Sequence, residues 1–177
     1  MLFQGLRLGW ILAPVEPLRR RILTIKQAAD LQTGYLVQGI ILEFMQRGYF
    51  EKFLKRRLID LRASRDAMRQ ALKDYLPETA QWRNVGGGIC FWVRLPPPLL
   101  AEEVLLEARQ RGVVFAPESL FAVGPSPNTG MRLGFSNLSP DQIRSGVRVI
   151  GQVIRKLQGR VNPMLRVDAT QYARAQV

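Results

Sequence analysis

GGGICFWVRLPPP, residues 86–98, is an apolar run bracketed by backbone breakers, with three glycines before it and three prolines after. Such bracketing marks a strand that is forced to begin and end where it does. The residues that follow supply partners for it. A helix is expected over 102–111, stopped by Gly112, then a short strand in VVFAP (113–117), a loop over 117–130 and a second clear strand in MRLGFS (131–136). Ser139, Pro140 and Gln142 then give an N-cap, a proline at the first helical position and the reciprocal partner of a capping box. The helix they start carries Ile143, Val147, Ile150, Ile154 and Leu157 along one stripe, and from Gln158 the chain reads as a loosely held tail. Residues 78–157 are therefore expected to form a small unit of strands and helices that buries its own core.

Upstream the texture is different. Phe50, Phe53, Leu54, Leu58, Leu61, Met68, Leu72 and Tyr75 recur at three- and four-residue steps, predicting one helix over 50–76 that is closed by Pro77. At ~1.5 Å per residue such a helix is about 40 Å long, enough to connect two bodies. Before it, TGYLVQGIILEFMQRG (33–48) predicts a helix stopped by Gly48, and another is expected over 18–31. The first residues, MLFQGLRLGWILAP (1–14), alternate Leu6, Leu8, Trp10 and Leu12 with Arg7 among them and predict a strand over 5–13. That strand has no neighbour nearby in sequence. A central strand without its sheet leaves backbone groups unpaired, so this half reads as incomplete. The expected division is 1–47, a connecting helix over 48–77, a small domain over 78–157 and a tail over 158–177.

Composition narrows the chemistry. The 177 residues carry a net charge of +12, and histidine is absent. That absence removes Ser-His-Asp catalysis, imidazole metal ligation and imidazole acid–base work together. No metal site is expected. Five of the 26 basic residues are lysine and the rest arginine; they lie along amphipathic segments without interleaved aromatics, which points to a solvated face more than to nucleic acid. No apolar run approaches a membrane span, and Cys90 alone gives no disulfide framework and suits a reducing compartment. Cys90, Trp82 and Trp92 read as packing residues. From the residues alone, Arg7 is either an exposed strand arginine or an anion ligand. Arg132 is either a salt-bridge member or a carboxylate site, and Gly86, Gly87 and Gly88 give either a bulge or a close backbone approach.

Taken in order, GLRLGWILAP, the helix ending SRDAMRQAL, GGGICFWVRLP, RGVVFAPESLF and MRLGFSN resemble the C-terminal half of a fold-type I aminotransferase. The likeness is to the 2-aminoadipate type and to the aminotransferase-like domains of MocR-type regulators, and it covers roughly 1–157. It implies an α/β fold class: a remnant strand and helices of the large domain, a long interdomain helix, and a small domain of α+β character. In the family a lysine that forms a Schiff base with pyridoxal 5'-phosphate precedes the L-F-P-G-L-R-L-G-Y segment. Matched to MLFQGLRLGW, it would fall just before Met1, so no catalytic lysine is expected within this chain. The resemblance gives Arg7 to the cofactor phosphate, Arg132 to the substrate α-carboxylate and, more weakly, Gly87 to the substrate side of the cleft. Phe53, Leu58 and Leu61 depart from a His, an Arg and a Tyr often found on the long helix of MocR-type chains.

The function so implied is transfer of an amino group between an amino acid and a 2-oxo acid by a cytoplasmic, homodimeric complete protein. This chain alone, a truncated piece on that reading, is expected to retain no cofactor and to be inactive. Two alternatives stand beside it: the effector-sensing half of a MocR-type transcription regulator, and a non-catalytic interaction fragment. Neither membrane nor nucleic acid is an expected partner, and the arginine-rich composition hints at a bacterial source.

Overall fold

The computed structural model describes the backbone of residues 6–174 and side chains to residue 160. The chain divides into two units, residues 1–58 and 59–177. The boundary falls inside a helix that is continuous across it, α3 (Tyr49–Tyr75).

The first unit holds α1 (Glu16–Asp30), α2 (Tyr35–Gln46) and the start of α3. Local chemistry sets these helices. Pro17 sits in the first turn of α1, where its missing N–H costs nothing, and Glu16 pairs with Arg19 and Arg20 one turn on. Gly48 adopts the left-handed conformation (φ +69°) that ends α2, and Phe44 then packs on Tyr49 across the turn with ring centroids 5.7 Å apart. No described residue of 6–58 is buried.

The strand expected over 5–13 is absent from the described part of that stretch. Residues 7–14 have no regular structure, and Trp10, Ile11 and Leu12 are exposed. The described part of this unit contains no strand to pair with. An alternating pattern without a partner has no ladder to join, and its N–H and C=O groups turn to water instead.

The second unit is built on a four-stranded antiparallel sheet in the order β1-β2-β4-β3, from β1 (Gln81–Trp82), β2 (Cys90–Arg94), β3 (Ala116–Pro117) and β4 (Gly130–Gly134). β2 and β4 pair over their full length, Cys90 opposite Gly134 through Arg94 opposite Gly130. The edge strand β1 has no counterpart among the expected elements. Alternation along β2 and β4 sends Phe91, Val93, Met131 and Leu133 to one face. There they meet Met68 and Leu72 of α3, Val104 and Ala108 of α4 (Ala101–Arg109), and Ile143, Val147, Ile150 and Ile154 of α5 (Pro140–Arg174) in one core cluster. Full burial of each large member contributes roughly 1.5–3 kcal/mol.

The capping box forms as expected: the Ser139 N–H donates to Gln142 Oε1 (2.9 Å), and the Gln142 N–H donates to Ser139 Oγ (3.2 Å). The helix it starts does not stop near Leu157. It runs to Arg174, through the stretch read as a tail, where Met, Leu, Arg, Ala and Gln supply intrinsic helix preference.

Candidate functional site

The opposite face of the β2–β4 pair carries Cys90, Trp92, Arg94, Gly130, Arg132 and Gly134. Arg132 sits at its centre. It is flanked in register by Trp92 on β2 and Ala116 on β3. Ala116 is small, and the chain after it tightens into a 3-10 turn, Glu118–Leu120, that delivers Phe121 next to Trp92 and Arg132. The Arg132 guanidinium carbon lies 4.8 Å from the centre of the Phe121 ring, and the Trp92 and Phe121 rings meet edge to face at 5.9 Å. The cation thus lies over an aromatic ring, an attraction of about 0.5–1 kcal/mol at an exposed site.

Among the described residues no carboxylate lies within ion-pair reach of Arg132, and the side chain is exposed. The surface arginines Arg19, Arg47, Arg69, Arg144 and Arg160, by contrast, each hold a Glu or Asp. A planar fork resting over an aromatic ring, with no ion-pair partner among the described residues, is suited to bidentate capture of a carboxylate. Among the described residues no salt bridge engages Arg132, which stands exposed to solvent.

Trp92 owes its position to a missing side chain. A Cβ on Gly130 would stand 2.4 Å from Trp92 Cζ2, so the indole lies directly against the glycine backbone. The Gly130 N–H donates to Glu118 Oε2 at 2.9 Å. Glu118 and Phe121 were not among the expected site residues. The signal was present: antiparallel pairing of CFWVR with GMRLG places Trp92 beside Arg132, but the loop that carries Phe121 has no periodicity from which to fix its path.

The other expected residues lie apart from this cluster or in the other unit. Arg7 is exposed in the irregular segment before α1, with left-handed backbone (φ +48°) that is uncommon for a residue with a Cβ. Gly87 stands in an exposed loop with open space where a Cβ would be, and Gly88 takes a positive φ of 91°. Arg65 of α3 reaches this loop, donating from Nη1 to the Gly86 carbonyl at 3.4 Å. Close approach of backbone to a neighbour is seen at Gly130 and not in the triple-glycine run. Cys90 is half-buried and unpaired.

Comparison with known proteins accounts for this architecture. No protein-family model matches the chain. The aromatic-amino-acid aminotransferase 1 of Thermococcus litoralis is 32% identical over 158 residues, which are 88% of this chain and 37% of that protein. The solved α-aminoadipate aminotransferase of Thermus thermophilus, bound to N-(5'-phosphopyridoxyl)-L-leucine, superposes with a TM-score of 0.69 at 29% identity, covering 81% of this chain and 36% of that one. The chain shares its fold and its ancestry with the fold-type I aminotransferases. It spans under two fifths of the length of these relatives. The aminotransferase likeness also extends to regulators: YdfD, an uncharacterised helix-turn-helix transcriptional regulator of Bacillus subtilis, is 26% identical over 156 residues, 88% of this chain and 32% of that protein.

Aminotransferases of this kind use pyridoxal phosphate, which needs a lysine amine for its aldehyde and several donors around its phosphate. The residues described here do not supply that set. Lys26 and Lys156 are engaged by Asp30 and Glu107, both at 2.7 Å, and Lys52, Lys55 and Lys73 project from exposed positions of α3. Arg7 alone is no phosphate cradle. Among the described residues there is also no cluster of side chains able to hold a metal ion, and no helix long and apolar enough to cross a membrane.

Proposed function

We propose that this chain supplies the carboxylate-binding part of an aminotransferase site, with Arg132 holding the α-carboxylate of the amino acid or 2-oxo acid. The observation that carries this reading is the guanidinium lying over the Phe121 ring, with no ion-pair partner among the described residues, in a fold shared with aminotransferases. Amino transfer itself would need pyridoxal phosphate as electron sink, and its lysine and most of its phosphate donors would come from polypeptide other than the residues described here. On this reading Arg7 is one contact to that phosphate and Gly87 lies on the substrate side. The complete protein acts as a cytoplasmic homodimer, and this chain alone neither retains the cofactor nor transaminates.

The chain's own residues bind and orient. A fork gripping both carboxylate oxygens fixes the direction of the Cα–carboxyl bond, and the aromatic ring beneath the guanidinium favours one placement of it. Charge-assisted hydrogen bonds of this kind contribute about 1.5–3 kcal/mol, so the isolated site should bind a 2-oxo acid with a Kd of roughly 10–100 mM. Titration of 2-oxoglutarate into the 15N-labelled chain should shift the Arg132 Nε–Hε resonance saturably. Arg132→Ala should abolish the binding and Arg132→Lys should weaken it, because an ammonium keeps the charge and loses the fork. The reading fails if the dimethyl ester produces the same shift, or if the resonances of other exposed arginines move as much.

The regulator among the relatives favours a second reading, in which the same arginine holds the carboxylate of an effector. The two readings part over whether a DNA-binding region belongs to the same polypeptide.

A further inference from the structure

We propose that Glu118 is a positioning residue for Arg132, acting through Gly130 and Phe121. The ligand side of the proposal rests on the reading of Arg132 as a carboxylate site; the mechanical side does not.

The argument begins with backbone accounting. β3 pairs with β4 only through Ala116 and Pro117, opposite Arg132 and Met131, and the chain then turns away into the Glu118–Leu120 turn. The buried Gly130 N–H, one step further along β4, is left without a strand acceptor on that side. An unpaired buried N–H is costly, and here a side chain takes the place of the missing strand: Glu118 Oε2 accepts it at 2.9 Å.

This bond ties the first residue of the turn to the strand that carries Arg132. Phe121 lies three residues after Glu118, and both its N–H and that of Ala122 donate back to the Glu118 carbonyl (2.9 and 3.0 Å). The turn therefore moves as one piece with Glu118, and the place where Glu118 is anchored decides where the Phe121 ring lies. Trp92, packed against Gly130, meets that ring edge to face at 5.9 Å.

The anchoring has a second consequence. Glu118 is the nearest acidic residue in sequence to the arginine's strand partners, yet it forms no ion pair with Arg132, because its carboxylate is spent on a backbone N–H. Freed from Gly130, it could swing to the guanidinium and occupy the edges that a ligand carboxylate needs. The tether thus does two things: it sets the aromatic floor and it keeps an internal competitor away.

The readout is the ring-current displacement of the Arg132 Nε–Hε resonance in the ligand-free chain, with Phe121→Leu defining zero stacking. Glu118→Gln should keep the displacement, since its amide oxygen accepts the same N–H without charge. Glu118→Asp, charged but one methylene short, should lose most of it, and so should Glu118→Ala. In the 2-oxoglutarate titration Glu118→Ala and Glu118→Asp should bind at least two- to fivefold more weakly, the factor expected from losing an exposed cation–aromatic contact. Unchanged amide resonances for Phe91, Val93 and Leu133 report an intact core in each variant.

An unmoved Arg132 signal in both Glu118→Ala and Glu118→Asp overturns the proposal, as does a Glu118→Gln that behaves like Glu118→Ala. Should the wild type bind no 2-oxo acid while Glu118→Ala and Glu118→Asp still shift the ring-current signal, the carboxylate reading falls and the positioning role stands. Should the wild type bind and both variants match it in shift and affinity, the positioning role falls alone.

Discussion

Gly151 makes the sharpest test of how the second unit is assembled. It lies in α5 where that helix crosses the end of α3, and a Cβ added there would stand 2.2 Å from the Tyr75 carbonyl oxygen and 2.9 Å from its carbon. The obstacle is backbone, and Arg155 holds it in place by donating from Nη1 to the same oxygen at 2.8 Å. Restoring an ordinary contact of roughly 3.5 Å would push the two helices about 1 Å apart. Overpacking of this kind costs ~1–3 kcal/mol, and the clash with a fixed carbonyl puts Gly151→Ala at the upper end. Against this stands a gain of ~1 kcal/mol, because alanine is the better helix former. The net expectation is destabilisation by about 1–2 kcal/mol. Gly159 on the same helix has nothing within 4 Å, so Gly159→Ala takes the propensity gain alone and stabilises by ~0.5–1 kcal/mol. Urea unfolding followed by far-ultraviolet circular dichroism separates the two. With a slope of ~1.5 kcal/mol/M, Gly151→Ala should lower the midpoint by about 1 M and Gly159→Ala should raise it by about half that. A Gly151→Ala chain as stable as the wild type would refute the close crossing of α3 and α5.

Three further outcomes follow from single contacts. Ser139→Ala removes one half of the capping box at the start of α5 and should cost ~1 kcal/mol in the same urea experiment, whereas Ser139→Asp should be nearly neutral. The Glu107 carboxyl is held below its ordinary value of 4.5, first by its hydrogen bond from Lys156 and then by the charges of Lys156, Arg160 and Arg111. A lowered carboxyl pKa stabilises the fold above the ordinary value and loses that contribution as the pH falls through the lowered one, so the α4–α5 ion pair should dissolve below pH 4.5; a carbon-detected NMR titration should show Glu107 moving back toward the ordinary value in Lys156→Met. Gly130→Ala should displace the Trp92 indole, destabilise the second unit by ~1–3 kcal/mol and diminish the aromatic near-ultraviolet dichroism.

The parts of the fold that were legible are those where local chemistry and burial agree. The Ser139 box, the breakers around 86–98 and the stripe Ile143, Val147, Ile150, Ile154 each state a boundary or a face on their own, and each is found. Family resemblance singles out Arg132 as a candidate, but its setting was not legible. The guanidinium lies over Phe121, which is carried by a turn that a side-chain-to-backbone bond across twelve residues joins to β4, and no period in the sequence encodes that bond. The edge strand β1 escaped notice for a related reason: two residues, Gln81 and Trp82, are too short to alternate, and pairing with Arg94 and Val93 defines them as a strand.

The opening segment fails for the opposite reason. Leu6, Leu8, Trp10 and Leu12 carry a strand pattern as clear as that of β2, yet β2 is a strand and they are not. The difference lies in partners. β2 has β4 along its whole length and a helical layer over Phe91 and Val93, so each residue fixed in extended form gains a ladder bond or buried area that outweighs an ordering cost of about 1–2 kcal/mol. Residues 7–14 gain neither within their own unit, where no described residue is buried. Alternation is thus a statement about what a segment can pair with, and it becomes structure only where the pairing surface is present. The same reasoning separates the two arginines. Arg132 stands on a sheet with its guanidinium over the Phe121 ring, whereas the described residues around Arg7 form no sheet to direct it.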